Sequence, residues 1–131
     1  MREEIRTYIG TLNLGGFLLS QEVPWSENGN PLYLKNPKRI YVDVDQIETD
    51  PFIQTLSGVT ISNQINVVRL YFSTDAKQVP SNYSDIVESL RRAKDITTIQ
   101  GVNRRECLVN TSYENDMLVT ELEYRFTKLS T

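Results

Sequence analysis

Four carboxylates, Asp43, Asp45, Glu48 and Asp50, fall within eight residues, and Asp43 and Asp45 stand at i and i+2, the spacing that places side chains on one face of a strand. Such a pair could hold a divalent cation or divide acid and base work between two groups. The calcium-loop order is missing, however: counted from Asp43, the sixth residue is Glu48 rather than glycine and the twelfth is Gln54 rather than glutamate. A solvated polar face is the better reading. Cys107 is the single cysteine, and the chain contains no histidine. Its thiolate would therefore lack the usual base, and its place on an alternating strand beside Val109 fits a buried structural thiol. The absence of histidine also removes a His-based general base, a Ser-His pair and the common zinc sites.

Arg91, Arg92, Arg104 and Arg105, with Lys94, form the basic concentration of the chain. They could meet a phosphate or an acidic neighbour, although a helix C-terminus and an exposed strand entrance account for the same pattern. Trp25, Tyr33 and Phe52 lie in stretches rich in turn residues. There, large aromatics either anchor a partner or fold back over the core. Gly15-Gly16 belongs to no phosphate-binding signature and reads as a helix stop.

The 131 residues suit one domain, which at this length buries enough surface to fold without disulfide or metal. With 14 Lys+Arg against 17 Asp+Glu, the net charge of −3 supplies no global field for nucleic acid. No apolar run approaches the roughly 18 residues of a membrane span, and Met1-Arg2-Glu3-Glu4 lacks the layout of a signal peptide. The expectation is a chain made and used in a cytosol, so the sequons at Asn82 and Asn110 are chance matches.

Ile5, Tyr8, Ile9 and Leu12 give an opening amphipathic helix over 3–14, stopped by the glycines. Phe17, Leu18 and Leu19 with Val23 make a short strand ended by Pro24. A long loop over about 24–38 follows, with an Asn28-Gly29 tip and Leu32 and Leu34 on a returning arm. Ile40, Val42 and Val44 alternate with Tyr41, Asp43 and Asp45 in a half-buried strand, and a second loop occupies about 48–60. Along 61–72 the apolar phase changes: Ile61, Ile65 and Val67 share one face, and Val68, Leu70 and Phe72 the other. Either both faces are buried or a bulge near Val67-Val68 switches them. Asn82 and Asp85 form a capping box for a helix over 82–94. A hairpin turning at Glu114-Asn115-Asp116 closes the chain, leaving Val119, Glu121, Glu123 and Arg125 on a face open to water or a partner. The expected fold is of the α/β kind (α+β type), with two layers: a mostly antiparallel sheet and helices packed on one face.

In size, element order and texture the chain resembles the tail-terminator and tail-completion proteins of long-tailed bacteriophages. The likeness is carried by the opening helix 3–14, the 40–44 strand and the 65–72 strand running through Ser73-Thr74-Asp75 and Pro80 into the 82–94 helix. The last strand, 117–126, ending Glu123-Tyr124-Arg125-Phe126, completes it. The resemblance implies a non-enzymatic virion subunit without cofactor or metal, assembled in the host cytoplasm. It would form a homo-hexameric ring on the head-proximal end of the tail tube, touching the tail tube protein and the head connector or head-closure protein. DNA would pass through its lumen without specific binding, and no membrane is involved. A ring built of heterologous contacts needs two complementary side faces. The acidic stretch with Asp43 and Asp45 and the basic cluster with Arg91, Arg92, Arg104 and Arg105 could supply them, and Trp25, Tyr33 and Phe52 mark the loops that would touch neighbours. Two other functions stay open: a different head-to-tail joining subunit, and a small enzyme using Asp43, Asp45 and Glu121 with a divalent metal, which metal-dependent stabilisation would reveal.

Overall fold

The computed structural model describes residues 1–54, 58, 60–96 and 99–130, and the side chains of these apart from 50–54, 60–61 and 130. Its elements, in chain order, are α1 (Arg2–Gly10), β1 (Leu18–Leu19), α2 (Leu32–Lys35), β2 (Arg39–Val42), β3 (Gln46–Gln54), β4 (Thr60–Asp75), α3 (Tyr83–Arg91), β5 (Arg104–Glu114) and β6 (Met117–Ser130). A 3-10 turn, Arg92–Asp95, extends α3.

A run rich in Ile, Val, Leu, Tyr and Phe makes the sixteen-residue β4 the axis of a six-stranded mixed sheet in an α+β fold. On one side it pairs antiparallel with β6 in unbroken register from Ser62↔Ser130 to Asp75↔Met117. β5 completes that side as an edge strand, joined to β6 through Asn115 (φ 49°) and Asp116 (φ 61°), two positive φ values in succession that fit a tight two-residue hairpin turn. The other side of β4 is divided between β2, opposite 70–72, and β3, opposite 60–67, and β1 lies parallel to β2.

The bulge weighed for β4 lies instead beside it, in the partner. Val42 faces Leu70 and Gln46 faces Val67, so three residues (43–45) span the gap that 68–69 span on β4. The extra residue is a bulge, and it reverses which face each later side chain occupies. Ile40 and Val42, before the bulge, reach the core, whereas Val44, within it, is 53% exposed. β4 itself runs straight and uses both faces: Val68, Leu70 and Phe72 enter the helix-side core, and Val67 is fully buried on the other side.

α1 and α3 cover one face, with Ile5, Ile9, Ile86 and Leu90 packed on Leu70, Phe72, Leu122 and Tyr124. The Tyr124 hydroxyl donates to the Leu90 carbonyl at 2.7 Å, and Arg6 donates to the Ser20 carbonyl at 2.6 Å. Several local expectations need correction. α1 stops at Gly10, before the glycine pair, because its backbone leaves the helix where helix propensity is lowest. Asn82 precedes α3 with φ −92° and ψ 12°, outside the extended region a capping side chain needs, and makes no side-chain cap bond. The region expected as a loop over 48–60 contains β3 through Gln54, and Pro51 is tolerated there because the strand is an edge with a register shift beside it. Leu32 and Leu34 form a helical turn rather than a returning strand, and α2 lies on the opposite face from α1 and α3, so helices occupy both faces.

Gly15 (φ +57°) turns the chain where a Cβ would collide with the Asn82 carboxamide and meet Ile86. Gly15→Ala should therefore destabilise the fold by about 1–2 kcal/mol, seen as a lower urea midpoint at unchanged slope.

Candidate functional site

Strand alternation places Arg69 and Tyr71 of β4 on the face away from α1 and α3, opposite Glu123 and Glu121 of β6. The facing pairs form a chain of charge. Arg69 meets Glu123 at 2.9 Å and Glu121 at 3.8 Å, and donates to the Gln46 side chain at 2.8 Å. Arg125 bridges Glu123 at 3.3 Å and Glu48 at 3.0 Å, so β3, β4 and β6 are tied across the sheet. Each cross-strand pair is worth roughly 0.2–1 kcal/mol, and salt weakens it. Val67 sits fully buried in register with Arg125 and Gln46, where long polar side chains can cover it with their methylene stems.

At the hairpin end the same face turns aromatic. A turn over Ser26–Asn30, in which Ser26 N–H donates to the Asn30 carbonyl and Gly29 N–H to the Ser26 carbonyl, both at 2.9 Å, returns the chain so that Trp25 bridges to Pro31. α2 then lays Tyr33 on the sheet, held by the Ser73 hydroxyl donating to the Tyr33 carbonyl. The rings of Tyr33 and Tyr71 stack at 5.0 Å and 14°, with Trp25 edge-on to them at 5.5 and 5.8 Å. Tyr41 lies fully buried beneath, its hydroxyl accepting from Asn36 Nδ2 at 2.9 Å. The strand face of Tyr41, expected to meet water or a partner, thus meets a second small core with Val119. Of the two readings for the loop aromatics, Tyr33 folds back over the sheet, whereas Trp25 stays 39% exposed at its rim.

Between the tyrosine pair and the hairpin lies a slot of about 150 Å³, walled by Asn110, Ser112 and Glu114 of β5 and floored by Val119 and Glu121 of β6. Burial raises the Tyr71 phenol first, and Glu121 and Asp43 raise it further; burial, then Glu114 and Glu121, do the same to Tyr33. Both phenols stay neutral donors at neutral pH, and Tyr71 donates to Glu121 at 3.3 Å. Tyr71, Arg69 and Glu114 are the functional candidates that sequence reasoning did not single out. Arg69 interrupting the apolar run of β4 is the signal that could have found the charged face.

The other candidate residues are dispersed. Asp45 accepts from the amino terminus at 2.9 Å, while Asp43 accepts from the Val44 N–H at 2.8 Å inside the bulge, so the expected pair does not converge. Among the described residues no three His, Cys, Asp or Glu side chains are grouped to hold a metal. Arg91 and Arg92 bind Glu88 at 2.6 and 3.4 Å, Arg104 pairs with Glu106, and Arg105 donates to the carbonyls of Lys94, Ile96 and Ile99. The Arg105 side chain thus shapes the connection after α3. Burial pushes the Cys107 thiol up to about 11, which keeps it protonated at neutral pH. The backbone of Phe52 belongs to β3, and its side chain lies outside the described residues, as does Leu56. No described helix is long and apolar enough to cross a membrane.

A double-mutant cycle on Arg69→Ala and Glu123→Ala should return a coupling of about 0.5–1 kcal/mol that shrinks with added salt. Hydrogen bonds from Arg91 hold the Glu88 carboxyl down to about 2, so this stabilisation is present above the ordinary carboxylate range and lost as pH falls toward 2. An NMR titration should find that midpoint, and Arg91→Ala should return it toward the ordinary glutamate value. No protein-family model matches the sequence, and no curated protein matches it.

Proposed function

We propose that this chain is a structural subunit that assembles edge to edge into a ring and caps the head-proximal end of a phage tail tube, acting by surface complementarity. The observation that supports self-assembly is the free edge of β5. This strand has eleven residues paired in constant register with β6 alone among the described residues. Its centre, Cys107-Leu108-Val109-Asn110-Thr111-Ser112-Tyr113, has no charge, proline or glycine, and Leu108, Val109 and Tyr113 are 55%, 40% and 75% exposed on its two faces. A regular edge with an uncharged centre invites pairing with another strand, and monomeric proteins ordinarily blunt such edges.

The order β3-β4-β6-β5 is antiparallel throughout, with β3 and β5 as its outer strands. With four alternating strands, β5 of one copy set beside β3 of the next continues the antiparallel pattern. That contact is heterologous, the kind from which closed rings are built. The six-fold order and the tail-tube setting come from the resemblance in element order.

The native mass of the purified chain, measured across a concentration series with and without tail tubes, tests this. A closed hexamer, or a monomer that becomes one on tubes, is expected; a two-fold dimer or a strict monomer that ignores tubes would sink the ring. Leu108→Lys with Val109→Lys should abolish assembly while leaving the thermal midpoint of the monomer within a few degrees, since both sites are exposed.

A further inference from the structure

We propose that the slot between the Tyr33–Tyr71 stack and the β5–β6 hairpin binds a guanidinium group, supplied as an arginine side chain by a partner protein. The inference is independent of the ring, because a single chain builds the whole slot.

Its volume of about 150 Å³ suits one long side chain rather than a cofactor. Acceptor-bearing residues are prominent in its lining, with Glu114, Glu121, Ser112 and Asn110 among them. Glu121 already meets Tyr71 at 3.3 Å and Arg69 at 3.8 Å, whereas Glu114 forms no ion pair among the described residues. The negative potential is thus only partly neutralised, and it repels phosphates and other anions. A divalent cation is disfavoured, since no three His, Cys, Asp or Glu side chains are grouped to hold one among the described residues. A planar organic cation suits the slot better, since guanidinium offers five N–H donors in a fixed fork to the two carboxylates.

The position of the slot points to a protein as the source. Asn110, Ser112 and Glu114 alternate along the free edge strand, on the face that bears the tyrosines. A protein docked on that face, which edge pairing between copies leaves uncovered, can place one long side chain in the slot.

Trp25 is the only tryptophan of the chain and lies 5.5 and 5.8 Å from the two tyrosine rings, so its fluorescence reports on the site. The full-length chain would be titrated with L-argininamide at constant ionic strength, with L-citrullinamide as the neutral near-isostere and L-lysinamide as the non-planar cation. Saturable binding of argininamide in the range of about 1–10 mM is expected, as befits a single small group, with roughly tenfold weaker binding of the other two. Glu114→Gln, on the exposed end of the hairpin, should weaken argininamide by several-fold, and adding Glu121→Gln should remove saturation, with circular dichroism confirming the fold. A flat titration, an equal response to citrullinamide, or affinity unchanged in a folded Glu114→Gln/Glu121→Gln variant would overturn the proposal. Lysinamide binding as tightly as argininamide would overturn its guanidinium specificity.

Discussion

The pairing of β4 along both of its sides is the constraint on which the rest of the structure depends. With β6 it forms an uninterrupted ladder, so every side chain from Ser62 to Asp75 has a fixed face. On the other side the same strand meets β2 and β3 with one extra residue between them. Because side chains alternate with a period of two, that single residue decides which face each later residue of β3 occupies. It sets Gln46 beside Val67 on the charged face and leaves Ile47, now on the helix side, 61% exposed beyond the reach of the helical layer.

The two faces of β4 and β6 consequently have different chemistry. Under α1 and α3, Leu70, Phe72, Leu122 and Tyr124 form an apolar core, where the buried Tyr124 hydroxyl finds the Leu90 carbonyl and that of Thr120 the Tyr83 hydroxyl. On the opposite side Arg69, Glu123 and Arg125 remain half-exposed, where water and salt moderate their attraction. The aromatic cluster closes the end of that face. Tyr33 and Tyr71 shield Tyr41 and Val119 from water, and the Tyr71 hydroxyl turns toward Glu121, beside a polar and acidic slot.

The outer strands differ in kind. β3 contains Pro51 and a register shift, which leave the stretch before Pro51 as its regular part, whereas β5 is regular along its whole length. The slot opens beside β5. Assembly along that edge and recognition of a basic side chain would therefore engage adjoining surfaces, even though the two readings stand on separate observations.

The sequence by itself determined the elements whose information is local. Ile5 and Ile9 placed α1 and its buried stripe, the Glu114-Asn115-Asp116 turn placed the hairpin, and the alternation of Leu118, Leu122, Tyr124 and Phe126 marked the inner face of β6. The α+β class followed from their order. Only the tertiary structure decided whether the apolar phases of β4 meant a bulge or two used faces, because that depends on a strand paired from as far as Ser62 to Ser130 along the chain. It also turned the expected loop after Glu48 into β3, since an edge strand with a proline looks locally like irregular chain until β4 pairs with it. The candidate residues divided in the same way. Asp43 and Asp45 share a face only in an unbroken strand, and the bulge separates them; Tyr33, Tyr71, Glu114 and Glu121 are distant in sequence and become one site because β-sheet register joins residues without regard to their separation along the chain.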